Sequence, residues 1–391
     1  MAHPFSFRVL RGVAAGLILL ALPGLARAQV DALFHPASRQ TVERARAILG
    51  LDAKQSASLD EAYAKYRATY KSTIEELRAK GGALVEKGRN SGKLDQAERE
   101  IGVLTKAAVG SLDALDAALL TQVKGLLTPE QAPRMAALER ARRRETLKTV
   151  RVYGGDTVDL IAILDAQGIA WRADARVAPL VEGYDAALDP LASARDALVR
   201  EMLDPTDKKL GPESLSRLYA SSATLRECNR QHAKSIAGAL PEASRADFQG
   251  EVLRRSYPRT FAPSNFDRAL AAARVMTDLS DAQKGKVEAL GRDYERDAKL
   301  ANIALAQAID HVHDLLSASP EKMLTSRDVD TSGVTKPREA RRDLDKKFQA
   351  RLEEILGKDR RLPPPIPPSR GGDFEPSWDD EGLKVWMEEA K

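Results

Sequence analysis

An apolar pattern ending in tyrosine occurs three times in this chain. Leu51, Gln55, Leu59, Ala62 and Tyr66 stand at offsets 0, 4, 8, 11 and 15, and Leu279, Gln283, Val287, Leu290 and Tyr294 repeat those offsets. A degenerate copy lies between them as Ile169, Ala173, Val177, Leu180 and Tyr184, with alanine in place of the glutamine. Each start has an end 76, 71 or 77 residues later, at Leu127-Thr128-Pro129-Glu130-Gln131, at Leu240-Pro241-Glu242 and at Glu354-Ile355-Leu356. Steps of three and four residues belong to helices, whereas strands alternate every two. The chain therefore reads as three tandem helical units, residues 29–150, 151–260 and 261–360, with the second and third missing part of the motif.

Inside the first unit the stripe continues through Tyr70, Ile74, Leu77 and Leu84 and returns as Leu94, Ala97, Ile101, Leu104, Ala108 and Leu115. The polar stretch Lys87–Lys93 between the stripes predicts a turn and an antiparallel hairpin. The third unit repeats this with Ala301, Leu305, Ala308, Val312 and Leu315, followed by a polar loop over Ser326–Pro337. In the second, turns are expected at Asp204–Asp207 and Gly211-Pro212, and Pro179 and Pro190 predict kinks or a broken first helix. The expected fold is all-α, an elongated bundle of tandem helical hairpins. Composition agrees, because 5% aromatic against 30% charged residues suits long solvated helices better than a sandwich or barrel, and the 43% hydrophobic share is enough for a core.

The repeated glutamine has a local reading. In Thr128-Pro129-Glu130-Gln131 the threonine suits an N-cap, proline the first helical position, and glutamine can return a bond to the cap. Asp52…Gln55 and Ser280…Gln283 look like the same helix-start device.

At these residues the chain resembles the LTxxQ-motif family of small periplasmic proteins (Spy-, CpxP- and ZraP-like). Its members carry the motif twice, near the two ends of a helical domain. Leu51 to Gln55 and Leu127 to Gln131 would be the pair, and Leu279-Ser280-Asp281-Ala282-Gln283 would open the third unit. The resemblance implies a cradle of antiparallel helices without catalytic activity. Its expected partners are unfolded or partly folded polypeptides, or the periplasmic domain of a sensor kinase. Two other classes stand beside that one, a Zn- or Cu-responsive binding protein and a purely structural helical spacer.

Targeting fits the same compartment. Arg8 and Arg11 precede an apolar run from Gly12 to Leu25, and Ala26-Arg27-Ala28 supplies the small residues that a signal peptidase needs. Residues 1–28 are thus expected to be a signal peptide cut after Ala28, leaving a periplasmic or secreted chain. The run is too short for the ~20 residues of a spanning helix, so no membrane anchor is expected. Loss of three arginines and no acid takes the formal charge from +4 to +1. That removes the basic balance that would point to nucleic acid.

The sequence holds no dinucleotide, nucleotide, zinc-protease or serine-hydrolase signature, and no enzyme is expected. Its single cysteine, Cys228, is four residues from His232, a spacing that shares a helix face and could hold Zn or Cu with further ligands. His311 and His313 are two apart and diverge on a helix; the plain reading leaves them solvated. The strongest charge feature is Arg134–Arg151, in which Arg140, Arg142, Arg143 and Arg144 either form a solvated linking helix or bind acidic clients or anionic headgroups. After residue 360 the chain turns Pro-rich at 362–368, then carries Trp378 and Trp386. That tail is expected to leave the bundle as a disordered segment, and its tryptophans either dock back or recognise a partner.

Overall fold

The computed structural model describes residues 36–147, 151–202, 212–318 and 332–357. The expected signal segment, the expected turn at Asp204–Asp207 and the tail lie outside them. The described residues form eleven α-helices and no strand: α1 Arg39–Leu49, α2 Ala53–Ser91, α3 Leu94–Gly125, α4 Met135–Thr146, α5 Leu160–Ala166, α6 Ala178–Met202, α7 Pro212–Ala239, α8 Glu242–Ser256, α9 Asn265–Arg274, α10 Asp281–Ala318 and α11 Ser332–Leu356. Three long hairpins, α2–α3, α6–α7 and α10–α11, make the principal packing. A short helix precedes each hairpin, with its N-terminal N–H groups capped by Ser38, Asp159 or Ser264.

Each hairpin buries its tyrosine. Tyr66, Tyr184 and Tyr294 are at most 3% exposed, and burying a phenol requires a partner for its hydroxyl. Tyr66 donates to Asp116 at 2.6 Å and accepts from Ala37 N–H. Tyr294 lies 2.7 Å from Asp345 and 2.8 Å from the cap hydroxyl of Ser264. The Tyr184 hydroxyl is 3.0 Å from Asn229 and accepts from Leu160 N–H. One phenol thus ties the outgoing helix to the returning helix and to the start of the short helix, three times over. Burial, then the neighbouring carboxylate, pushes the Tyr66 hydroxyl well above its usual range.

Several expectations need correction. The α2 helix runs through Lys87 to Ser91, and only Gly92 and Lys93 turn. Gly92 takes the left-handed conformation (φ 67), and a Cβ on Gly88 would meet Ala97 at 2.7 Å, so the missing side chain lets α3 close on α2. The buried stripe continues as Gly81, Val85 and Gly88 rather than through Leu84. Tyr66, Tyr70, Ile74, Leu77, Gly81, Val85 and Gly88 step by 4-4-3, an eleven-residue repeat that at about 3.67 residues per turn keeps one face inward along the helix. For the same reason Leu315 stays 47% exposed while Leu316 is buried.

In the second hairpin α6 remains one helix despite Pro190, and Pro179 lies in its first turn where no backbone bond is lost. Ile169 and Ala173 precede that helix, because Gly168 and an Asp174 turn intervene. In the third, residues 332–337 belong to α11 rather than to a loop, with Pro337 inside the helix.

Candidate functional site

The motif glutamines meet in space. Gln55 and Gln131 are 76 residues apart, yet each carboxamide donates to the other, at 2.8 and 3.1 Å. Gln55 Oε1 also accepts from Asp52 N–H, and its Nε2 donates to the Leu126 carbonyl at 2.7 Å. Gln131 mirrors this, accepting from Thr128 N–H and donating to the Gly50 carbonyl at 2.8 Å. A carboxamide has two donors and two acceptor positions, and both residues use all four. Leu51 and Leu127 directly follow the two accepting carbonyls and pack into the same apolar cluster. The pair is a pseudo-twofold clasp across the open end of the first hairpin. In the third hairpin Ser280 caps Gln283, whose Nε2 reaches the carbonyl of Ile355, directly before Leu356.

Asp52 and Gln55 form the full capping box of α2. Thr128 does not act as the expected cap of a following helix. It opens a turn closed by Gln131 N–H and Ala132 N–H on its carbonyl, and the α-helix starts only at Met135. Its hydroxyl instead bonds Glu130, which holds that carboxyl below its ordinary range. The reason is steric: Pro133 and the clasp commit these residues to a turn.

The basic segment is neither a solvated linker nor a free cationic surface. Arg142 donates to Asp116 at 2.6 and 3.0 Å, Arg143 makes a two-pronged contact with Asp189 at 2.7 and 3.0 Å, and Arg140 and Arg144 both bond Asp185. Arg142 and Arg144 are buried. These arginines are the internal joint between the first two hairpins. Anionic partners for them are thereby withdrawn.

A third cluster was not foreseen. The loop 151–159 lies against α7, α8 and α10. Gly154 has no room for a side chain, since a Cβ would stand 2.2 Å from the Tyr257 ring, and Gly155 has φ 89. Arg226, on α7 and almost wholly buried, donates to the Gly154 carbonyl at 3.1 Å and to Asp310 and Asp314 of α10 at 2.6 Å each. Burial works against its charge, but those carboxylates outweigh it and raise the guanidinium further. His313 is buried rather than solvated, and its Nδ1 accepts the Gly154 N–H at 2.9 Å. Burial, with Arg226 nearby, lowers its pKa to about 4. Asp156, in the same loop, is fully buried, and burial raises its carboxyl despite Arg195 at 3.2 Å. The adjacent Gly154-Gly155 before an acid was the one sequence signal of a tight buried loop here.

Beside this cluster a cleft of ≈ 240 Å³ opens between α7 and α8. Val158, Ala233, Phe248, Val252 and Leu253 form its apolar part, and Arg230, Lys234 and Gln249 stand among its polar lining. It is below the roughly 300 Å³ at which sites for drug-sized ligands begin, so it suits a large side chain better than a metabolite.

Cys228 and His232 share α7 but gather no third ligand among the described residues. Cys228 packs against the second hairpin's core, where burial raises its thiol. His232 lies 5.5 Å from the Tyr184 ring, and burial lowers it. Among the described residues no group of three or more His, Cys, Asp or Glu could hold a metal ion, and no helix is long and apolar enough to cross a membrane. Trp378 and Trp386 lie outside the described residues. The chain matches no family model, no curated protein and no solved structure.

Proposed function

We propose that this chain is an exported, non-enzymatic helical protein that binds polypeptides, of the kind the LTxxQ-motif family comprises. The observation that carries the reading is the clasp of Gln55 and Gln131, in which two motifs far apart in the chain complete one another's hydrogen bonds. A motif used at both ends of a helical domain has a physical purpose in such a clasp. The cleft between α7 and α8 supports a binding role, because an apolar floor beside the Lys234 ammonium and the Gln249 amide suits an apolar side chain with an acid next to it.

The test is light scattering from a chemically denatured client diluted into buffer. The protein at up to equimolar ratio should suppress aggregation, and Leu253→Glu in the cleft should reduce that suppression while leaving the helical circular dichroism unchanged. Undiminished aggregation at equimolar protein overturns the reading.

A further inference from the structure

We propose that the α7–α8 cleft is the docking surface for this chain's own C-terminal segment, residues 371–391, which seats a tryptophan in the cleft's apolar part. The inference rests on reading that cleft as a polypeptide-binding surface, and it names the first polypeptide to reach it.

Three observations converge. The segment carries Asp373, Glu375, Asp379, Asp380, Glu381, Glu388 and Glu389 against only Lys384 and Lys391. At the cleft, Arg226 and Arg230 are held by Asp310, Asp314 and Glu227, so their charges are met from within the fold, whereas Lys234 is exposed and has no carboxylate partner among the described residues. Lys234 is therefore the charge at the mouth that an acidic segment would meet, and its attraction is screened by salt.

The apolar content matches as well. Leu383, Trp386 and Met387 follow the i, i+3, i+4 spacing of one helix face, with Glu388 and Glu389 next in line. Tryptophan is the residue that best combines a large apolar body with a polar N–H for a half-open site. The cleft, lined by Phe248, Val252 and Leu253 on one side and by Gln249 among its polar groups, offers both contacts.

The chain can also reach. Gln283 bonds Ile355, so α11 ends beside the start of α10. Asp310, at the cleft, is 27 residues further along α10, about 40 Å at 1.5 Å per residue. From residue 358 to Trp386 a chain of that length can extend to about 90 Å, and a random coil of that length has a mean span of about 30 Å. A tether of that length gives an effective concentration on the order of millimolar, enough to fill a weak site.

The experiment uses the full chain with a photo-crosslinking residue in place of Gln249, activated at low salt, and peptide mapping by mass spectrometry. Intramolecular crosslinks to residues 371–391 are expected. They should be mostly lost in Lys234→Glu or at molar salt, and recovered when Lys234→Glu is combined with Glu388→Lys and Glu389→Lys. Lys234 is exposed, so the variant should keep its circular dichroism. Crosslinks to other segments, to a second copy alone, or a yield indifferent to these charges overturns the proposal. Client suppression measured on the same samples separates the two readings. Suppression without a tail crosslink sinks the docking alone, whereas a tail crosslink without suppression sinks the client-binding function.

Discussion

Gln55 and Gln131 show how one side chain can be read correctly in part. Each accepts from the backbone three residues before it, which is local and visible as a motif. The other bonds join residues 71 to 81 apart and have no local signature. If capping were their whole role, Gln55→Ala and Gln131→Ala would cost independent amounts. The clasp predicts otherwise. Each substitution should cost about 1–3 kcal/mol, since it strands buried or half-buried partners. The double variant should cost less than the sum by at least roughly 0.5 kcal/mol, as read from urea denaturation midpoints at constant slope. Strict additivity would reduce both residues to caps. Thr128→Ala should stay within about 0.5 kcal/mol of the parent, because among the described residues its exposed hydroxyl bonds just Glu130's side chain. A loss near 1 kcal/mol would restore the N-cap reading.

At the scale of elements, the hairpins were legible because their pattern is periodic and dense. Tyr66, Tyr184 and Tyr294 sit on the inward face in all three. Helix α4 was not legible, because its character is set by residues elsewhere. A run of arginines reads as solvated until carboxylates from α3 and α6, 26 to 46 residues away, are brought against it. Asp116 is the hinge of that arrangement, taking both the Tyr66 hydroxyl and the Arg142 guanidinium. Asp116→Ala removes one partner from a buried arginine and from a buried phenol at once. The expected loss is on the order of 3 kcal/mol, with unfolding monitored by helical circular dichroism. A change below about 0.5 kcal/mol would mean that Asp116 does not hold α4, which Met135, Leu138 and the arginine pairs with Asp185 and Asp189 would then secure without it. The exposed exits of the stripes were misplaced by one residue, as at Leu84 and Leu315, because a 3.6-residue period drifts against any fixed heptad.

At the scale of the whole molecule, the second and third hairpins meet where His313 of α10 enters the loop 151–159. The imidazole accepts the Gly154 N–H between the rings of Tyr153 and Tyr257. Arg226, Asp310 and Asp314 are the charged groups facing it. A protonated ring has no acceptor to offer Gly154, so its charge and this junction are mutually exclusive. In the unfolded chain the histidine has its ordinary pKa of about 6.5, against about 4 in the fold. The depressed folded value sets the sign. The contribution is complete above pH 6.5 and is lost as the pH falls toward 4, amounting to roughly 3 kcal/mol across the window. Asp314, where Arg226 outweighs burial and holds the carboxyl below its ordinary range, loses its contribution only below about pH 4. Asp156, raised by burial, pulls the opposite way. Both are shared by a His313→Asn variant, whose carboxamide oxygen can still accept from Gly154 but does not titrate. The difference in urea stability between parent and variant should therefore shift by up to roughly 3 kcal/mol in the variant's favour between pH 6.5 and pH 4. Parallel curves over that interval would show that His313 is not the group that couples acid to this junction.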